Sequence, residues 1–423
     1  VQRIRFLKRY IRNFLNFNKP PLNKPIYSIS MTSVCFYFQV HQPFRIKPYS
    51  FEEIGHNHFY EYDTQNKSIM EKVSNKCYLT TNKLMLELIK KHEGKFRISY
   101  SISGVCLEQF ELYKPEVIQS FKDLVATGCV EILAETYYHS LSFFYSKREF
   151  ERQVQKHADK VFTLFGVRPT VFRNTELMFS NEVASYVSNM GYKGIICEGV
   201  DRLLQGRTPN FVYQTPAHES IGLLLKNYSL SDDMAFRFSN REWKDFPLTA
   251  PKFARWVHST AGNAETINLF MDYETFGEHQ WPETGIFDFL EYLPTEILKH
   301  PDFNFKTPSE IIDSYPKRDV YDVPYPTSWA DSERDLSAWL ENRMQQQALH
   351  SVYSLEESVL KTGNADLLHT WGKLQTSDHF YYMSTKFWSD GDVHKYFSPF
   401  DSPYDAAIFY MNVLSDFKST VER

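Results

Sequence analysis

Five short apolar runs in this chain hand over directly to a histidine or a carboxylate. Val40 leads into His41-Gln42-Pro43, Ser103 into Gly104-Val105-Cys106-Leu107-Glu108-Gln109, and Ala134 into Glu135-Thr136-Tyr137-Tyr138-His139. Arg173 leads into Asn174-Thr175-Glu176-Leu177, and Met271 into Asp272-Tyr273-Glu274-Thr275-Phe276-Gly277-Glu278-His279. An acid after a single strand is ordinarily a solvated loop residue or a helix cap. Five convergent cases are harder to explain that way, because apolar strands gain nothing by ending in buried acids. The chemistry open to such a set is carboxylate chemistry. Two carboxyl groups flanking a glycosidic bond can break it: one attacks the sugar or activates water, the other protonates the leaving oxygen. The acid must hold its proton near neutral pH, so burial or a like charge must raise its pKa. Tyr and Trp faces beside the acids would stack on sugar rings.

Such residues need a scaffold that gathers strand ends. The apolar runs are Val34–Val40, Phe96–Ser103, Val130–Ala134, Val171–Arg173, Gly194–Cys197, Ile221–Lys226 and Ile267–Met271. Between them lie amphipathic stretches, Leu79–Lys91, Pro115–Ala126, Glu149–Leu164 and Asn181–Met190, each followed by a glycine that suits a left-handed cap. Strand and helix in alternation predict parallel strands with right-handed crossovers. Seven runs predict an incomplete (β/α)7 barrel over residues 31–320, with an open doubly wound sheet as the alternative. In a parallel barrel the carboxyl ends of the strands form one face, where active sites sit. Beyond residue 320 the rhythm changes. Helices are expected over Ser332–Leu360, Ala365–Thr385 and Tyr404–Val421, a three-helix C-terminal domain spanning 321–423. The length of 423 residues accommodates both parts.

Residues 1–30 stand apart. They carry seven basic residues and no acidic one, leaving 40 basic against 52 acidic residues in the remainder. Ile4, Leu7, Ile11 and Phe14 lie at helical spacing, as in a basic amphipathic helix for a membrane surface or partner. Met31, just before the first strand-like run, favours a non-essential extension instead. The acidic remainder argues against nucleic-acid binding. No apolar run reaches the ~18 residues of a membrane span. Five cysteines without CxxC spacing suit reduced thiols in the cytoplasm, and Cys106 reads as a small buried thiol. His56-Asn57-His58 could offer two metal ligands, but it has no spaced acids nearby, so no metal site is expected. No P-loop, GxGxxG, GxSxG or HExxH pattern occurs. Aromatic residues make 16% of the chain, enough both for a core and for a stacking groove.

The strand-end motifs occur in an order that resembles glycoside hydrolase family 57. His41-Gln42-Pro43, Gly104 to Gln109, Asn174-Thr175-Glu176-Leu177 and Met271 to Gly277 match four of its regions. Gln375-Thr376-Ser377-Asp378-His379-Phe380-Tyr381-Tyr382 is similar to the fifth. Trp329-Ala330-Asp331 and Leu336 to Asn342 resemble the α-amylase branch in particular. The resemblance implies a (β/α)7 barrel with a helical domain, cleavage of α-1,4-glucans with retention of anomeric configuration, and no metal or organic cofactor. It places Glu176 as nucleophile and Asp272 as general acid/base. Many α-amylase-like relatives lack one of these acids; this chain keeps both.

Read from the residues alone, either Asp272 or Glu274 could be the acid, since in an extended chain both point the same way. The family match selects Asp272 and leaves Glu274 as a pKa-raising or hydrogen-bonding neighbour. Further substrate-binding candidates are His41, Gln42, Glu108, Glu135, His139, Arg173, His279, Trp281, Trp329, Asp378 and His379. For His41 a structural pairing with a neighbouring acid is the competing reading. For Glu108 and Glu135 it is a salt bridge holding Arg45 and Arg173. Trp339 reads as domain packing. The expected function is a retaining glycoside hydrolase acting on glycogen, starch or maltodextrins. Alternatives are a 4-α-glucanotransferase, a glucan-binding protein without turnover, and a metal-dependent polysaccharide deacetylase.

Overall fold

All seven apolar runs are β-strands: β1 Thr32–Val40, β2 Ile98–Ile102, β3 Val130–Ile132, β4 Val171–Arg173, β5 Gly194–Glu198, β6 Gly222–Lys226 and β7 Thr266–Asp272. The computed structural model describes residues 31–216, 220–388 and 398–423; the basic segment 1–30 and its expected helix or extension lie outside the described residues. Residues Met31–Arg423 form one compact unit.

β1 is the hub. It pairs in parallel with β2, Phe36 opposite Ile98, and with β7, from Ser33 opposite Thr266 to Gln39 opposite Asp272. β2 continues to β3, and a parallel bridge between Ala134 and Phe172 carries the order on to β4. β5 and β6 follow, both parallel. Between β6 and β7 the ladder gives way to a side chain: Asn268 Nδ2 donates to the Leu225 carbonyl at 2.8 Å, and the Asn227 amide to the Asn268 carbonyl at 2.9 Å. Seven strands thus close on themselves across one seam, as an incomplete barrel does, rather than ending in two free edges.

The sequence of β1 explains its place. Parallel strands covered on both faces read as continuous apolar runs, and every residue of β1 is buried. Its alternate residues part company. Val34, Phe36, Phe38 and Val40 pack toward the surrounding helices, while Cys35 and Tyr37 join Leu133, Val171, Ile196, Leu224 and Phe270 in the barrel interior. Much of the aromatic content fills the outer layer. Tyr273 meets Tyr100 at 5.0 Å and Phe38 at 5.2 Å between ring centroids, and Phe96 meets Phe305 at 5.0 Å. The crossover helices Leu79–Lys91, Pro115–Val125, Lys147–Phe165 and Asn181–Asn189 lie where their periodicity places them. Gly166 ends the third in the left-handed region, its amide bonding the Phe162 carbonyl.

The C-terminal region departs from expectation. The long helix expected over Ser332–Leu360 is three pieces, Ser337–Leu340, Arg343–Ser354 and Glu356–Thr362. Asn342 starts the second with a capping box, its side chain accepting from Gln345 N while Gln345 caps back. Residues 327–336 are an irregular segment instead. The helix expected over Ala365–Thr385 breaks after Leu374, because Thr376 bridges Ser140 and the Ser377 amide bonds the His139 carbonyl at 2.9 Å. The last helix, Pro403–Val421, begins at a Ser402 cap. These helices share an apolar cluster around Trp339, Leu349, Trp371, Phe380 and Tyr410, which also takes in Ile46, Tyr49, Leu141 and Met178. Trp339 packs there, as expected. Among the described residues no helix is long and apolar enough to cross a membrane.

Candidate active site

β4 ends at Arg173, and the chain turns at once. Glu176 and Leu177 adopt φ of 55° and 50°, the left-handed region that non-glycine residues enter only when surroundings enforce it. The enforcement is visible: Thr175 Oγ1 bonds Thr136 Oγ1 at 2.8 Å, Asn174 Nδ2 donates to the Met178 carbonyl at 3.0 Å, and the Trp329 amide donates to the Glu176 carbonyl at 3.2 Å. The turn leaves the Glu176 carboxylate 21% exposed.

Two groups donate to that carboxylate. His139 Nε2 lies 3.1 Å from Oε1, and the Trp329 indole N–H donates to Oε2 at 2.7 Å. On its other side His139 Nδ1 lies 3.0 Å from Glu135 Oε2. Carboxylates only accept, so both ring nitrogens donate and His139 is an imidazolium. Burial opposes that charge, but the bonds to Glu135 and Glu176 raise the pKa to about 9. Burial likewise pushes Glu135 and Glu176 up, and the His139 bond and charge outweigh it, leaving both carboxyl groups below their ordinary value. Arg173 adds its charge to both, 3.7 Å from Glu135 and 5.4 Å from the Trp329 ring centroid.

His41 stacks on His139 with 3.8 Å between ring centroids. Burial and the His139 charge lower its pKa below the ordinary imidazole value. Its Nε2–H donates to Asp378 Oδ2 at 2.9 Å, and Nδ1 lies 2.6 Å from Ser103 Oγ. Burial would raise the Asp378 carboxyl, but the charge and bond of His41 hold it far below the usual range. The structural pairing expected as one reading of His41 is therefore present, and it aims the ring at the strand ends.

Asp272 terminates β7 beside the last paired residue of β1, Gln39. Burial first, then the Glu176 charge, raise its pKa to about 6; Arg173, Lys226 and His139 pull the other way. Asp272 and Glu274 do not point the same way as an extended chain would have it. A 3-10 turn at Tyr273–Thr275 sends Glu274 inward, where Tyr78 donates to Oε1 and the Gln42 side chain also bonds it. Asp272 stays half-buried while Glu274 is buried. Burial and the Asp272 charge raise Glu274 to about 8. Tyr78 reaches it from a π-helical turn, Ser74–Tyr78, between two α-helices, a feature that concentrates at functional sites. Gly277, at φ 112°, closes the motif against the Lys76 carbonyl, where a side chain would collide.

The expected sugar-binding residues lie at different depths. Glu135 and Arg173 are fully buried, and His139 is 1% exposed. They form a layer beneath Glu176 and act on it through charge and hydrogen bonds. His379 is 2% exposed, with Nε2 bonding the Lys373 carbonyl and its ring against Tyr410; burial lowers its pKa to about 4. Among the described residues Glu108 pairs with Lys156 and His369 rather than with Arg45 or Arg173. It accepts from Tyr137 at 2.5 Å and lies 3.3 Å from His369. Arg45 instead donates to Gln42 Oε1 at 3.0 Å. Trp281 stands 60% exposed on the loop after β7, its indole N–H bonding the Glu278 carbonyl at 3.0 Å. His279 is half-buried on that loop, and burial lowers its pKa to about 4. His58 serves structure, bonding Asp416 at 2.7 Å. Sequence reasoning missed Tyr78, Ser103, and the charges that close β5 and β6, Glu198 and Lys226. The signal for the last two was position: Lys226 ends an apolar run, and Glu198 follows one directly.

A family model described as Glycosyl hydrolase family 57 matches residues 35–324. The chain belongs to this family. A protein of Methanocaldococcus jannaschii carrying the provisional name alpha-amylase is 44% identical over 398 residues, covering 91% of this chain and 84% of its own. Among solved structures, the GH57-type branching enzyme of Pyrococcus horikoshii matches with a TM-score of 0.64 at 13% identity, covering 86% of this chain and 87% of that one. The 4-alpha-glucanotransferase of Thermococcus litoralis matches with a TM-score of 0.57 at 17% identity. There 87% of this chain spans 54% of the other, about half its length. At such identities these likenesses speak for the fold. The protein is thus a glycoside hydrolase of family 57, with its candidate site at the carboxyl ends of the barrel strands.

Proposed function

We propose that this family 57 protein hydrolyses α-1,4-glucosidic bonds of glycogen, starch or maltodextrins with retention, by double displacement at Glu176 and Asp272. The observation that carries the reading is the divergence of two carboxyl groups. Glu176 is held ionised by His139 and Trp329, while Asp272 is raised to about 6 and keeps its proton in mild acid. Such divergence assigns nucleophile and acid. Glu176 attacks the anomeric carbon as Asp272 gives its proton to the departing oxygen, and the sugar becomes an ester of Glu176. Esterification removes the Glu176 charge, the second largest influence raising Asp272. What remains around Asp272 includes His139, Arg173 and Lys226, all of which lower its pKa. Asp272 therefore becomes the better base when it must take a proton from water and release the sugar. The 44% identical relative with an alpha-amylase name supports a glucan substrate. Five free, buried cysteines fit a reducing cytoplasm. A metal-dependent deacetylase would need ligands; among the described residues no group of three or more His, Cys, Asp or Glu is placed to hold an ion.

A maltooligosaccharide ladder tests this, with products resolved by size and anomer. Shorter reducing sugars released as the α-anomer are expected, and Glu176→Gln should abolish them with the fold intact. Longer oligosaccharides without net reducing ends would replace hydrolysis by transfer. Initial β-anomer would overturn retention. Glucan binding without turnover would overturn the enzyme reading.

A further inference from the structure

Trp329, which donates to Glu176, sits on an irregular segment with no strand or helix to hold it. Backbone bonds tie Thr327 to Phe179 and the Trp329 amide to Glu176, and beyond these residues 327–336 are fastened by charge. Arg334 NH1 lies 3.5 Å from Glu198 Oε2, and NH2 lies 3.5 Å from Asp232 Oδ2. The same guanidinium donates to the Trp329 carbonyl. Lys226 Nζ completes the group, 3.2 Å from Asp232 Oδ1, 3.7 Å from Glu198 Oε2 and 5.3 Å from the Trp329 ring centroid. Two acids and two bases thus gather from the end of β5, the end of β6, the helix Tyr228–Ala235 and the Trp329 segment. Their charges cancel, and each side chain is at least four-fifths buried. Asp331 and Arg334 both hold φ of 52°, strain that persists only where several contacts over-determine the backbone. Arg334 is the member that reaches both the barrel acids and the Trp329 backbone, and only a planar fork bridges acceptors in this way.

We infer that Arg334 is a positioning residue: by tying the Trp329 segment to Glu198 and Asp232, it aims the indole N–H at the Glu176 carboxylate. Arg334 touches no substrate in this scheme. The inference rests on the reading of Glu176 as nucleophile. A charge-assisted hydrogen bond to a reacting carboxylate is worth about tenfold to a hundredfold in rate. Trp329→Phe and Arg334→Gln should each lower kcat by that much, with KM for maltoheptaose little changed. Both should move the acidic limb of the pH–rate profile upward by the same amount, because Glu176 loses the same donor. The double variant should lose no more than either single one. Arg334→Lys, which keeps the buried charge balance, serves if the glutamine variant does not fold, and should fall between wild type and Trp329→Phe.

An indole ¹⁵N–¹H spectrum reads the same geometry without turnover. The Trp329 resonance, identified by its absence in Trp329→Phe, should shift with pH as Glu176 titrates in wild type and lose that response in the Arg334 variants. Multiplicative losses in the double variant, or a Trp329 resonance that titrates unchanged without Arg334, would overturn the positioning role. If the resonance responds as described while Glu176→Gln keeps full activity, the positioning stands and the assignment of Glu176 falls.

Discussion

Replacing Glu274 with glutamine should make stability less sensitive to pH. Glu274 is 6% exposed, and burial together with the Asp272 charge raises its pKa from the ordinary 4.5 to about 8. Between those values the folded protein holds a proton that the unfolded chain has released. Stability therefore falls as pH rises across that window, by about 1.4 kcal/mol per pH unit for one group. Over the whole window the loss is roughly 4–5 kcal/mol. Glutamine keeps an oxygen to accept from Tyr78 and has no proton to lose, so this part of the slope should vanish. Urea unfolding of both proteins measures it. The variant should match wild type near pH 4.5, gain on it by about 1.4 kcal/mol per unit toward pH 8, and then level off. Because native Glu274 is protonated in mild acid, kcat there should change little. A stability difference constant across this range would mean that Glu274 is ionised in its buried place. That result would refute the account of the acid pair built on burial.

The pH dependence of kcat/KM should be bell-shaped, with its alkaline limb near 6, where Asp272 loses the proton it must donate. Asp272→Asn should cost about 10²–10⁴ in rate and remove that limb. His139→Gln should raise the acidic limb, because Glu176 loses the bond and charge that hold it ionised; an unmoved limb would exclude His139 from that role. The His139 pKa is raised to about 9, so its contribution to stability is complete below the unfolded value of about 6.5 and disappears as pH passes 9. The glutamine variant should lack that alkaline decline in urea unfolding. Gly277→Ala forces a side chain into φ 112° and toward the Lys76 carbonyl. It should lower unfolding free energy by about 1–3 kcal/mol, and an unchanged urea midpoint would contradict the turn geometry.

The barrel was legible because its physics is local. Strands covered on both faces must be apolar throughout, so seven runs stand out, and a glycine past each early helix marks where the chain turns back. The C-terminal region was less legible for a matching reason. Polar, helix-compatible residues from Ser332 onward read as helix, yet Asp331 and Arg334 take left-handed backbone that no glycine announces. Arg334 is held there by ion pairs to Glu198 and Asp232, more than 100 residues earlier in the chain, and Asp331 by Lys386, 55 residues later. The π-helical turn at Ser74–Tyr78 was hidden likewise, since its composition is that of the helices it joins.

Within the site, motif and spacing identified side chains but could not sort them into layers. Glu135, His139 and Arg173 follow strands just as Glu176 and Asp272 do, and nothing in their spacing says that they lie beneath. What sorts them is closure of the barrel. Its strand ends converge, so Arg173 at the end of β4 and Glu135 past β3 are enclosed, whereas Glu176, in the left-handed turn after β4, and Asp272, at the end of β7, stay partly exposed. Burial then does the electrochemical work. Glu135, fully enclosed, stays ionised only because His139 and Arg173 are enclosed with it. That same imidazolium holds Glu176 ionised, while Asp272 meets the Glu176 charge without a hydrogen-bonded cation of its own and is pushed up. In the proposed mechanism, the division of labour between the two carboxyl groups therefore follows from which one shares His139. His139→Gln should consequently raise the alkaline limb as well, since Asp272 loses a positive charge that lowers its pKa while the ionised Glu176 of the active form still raises it. Following both limbs in one pH–rate experiment measures this coupling, and limbs that move independently would dissociate the pair.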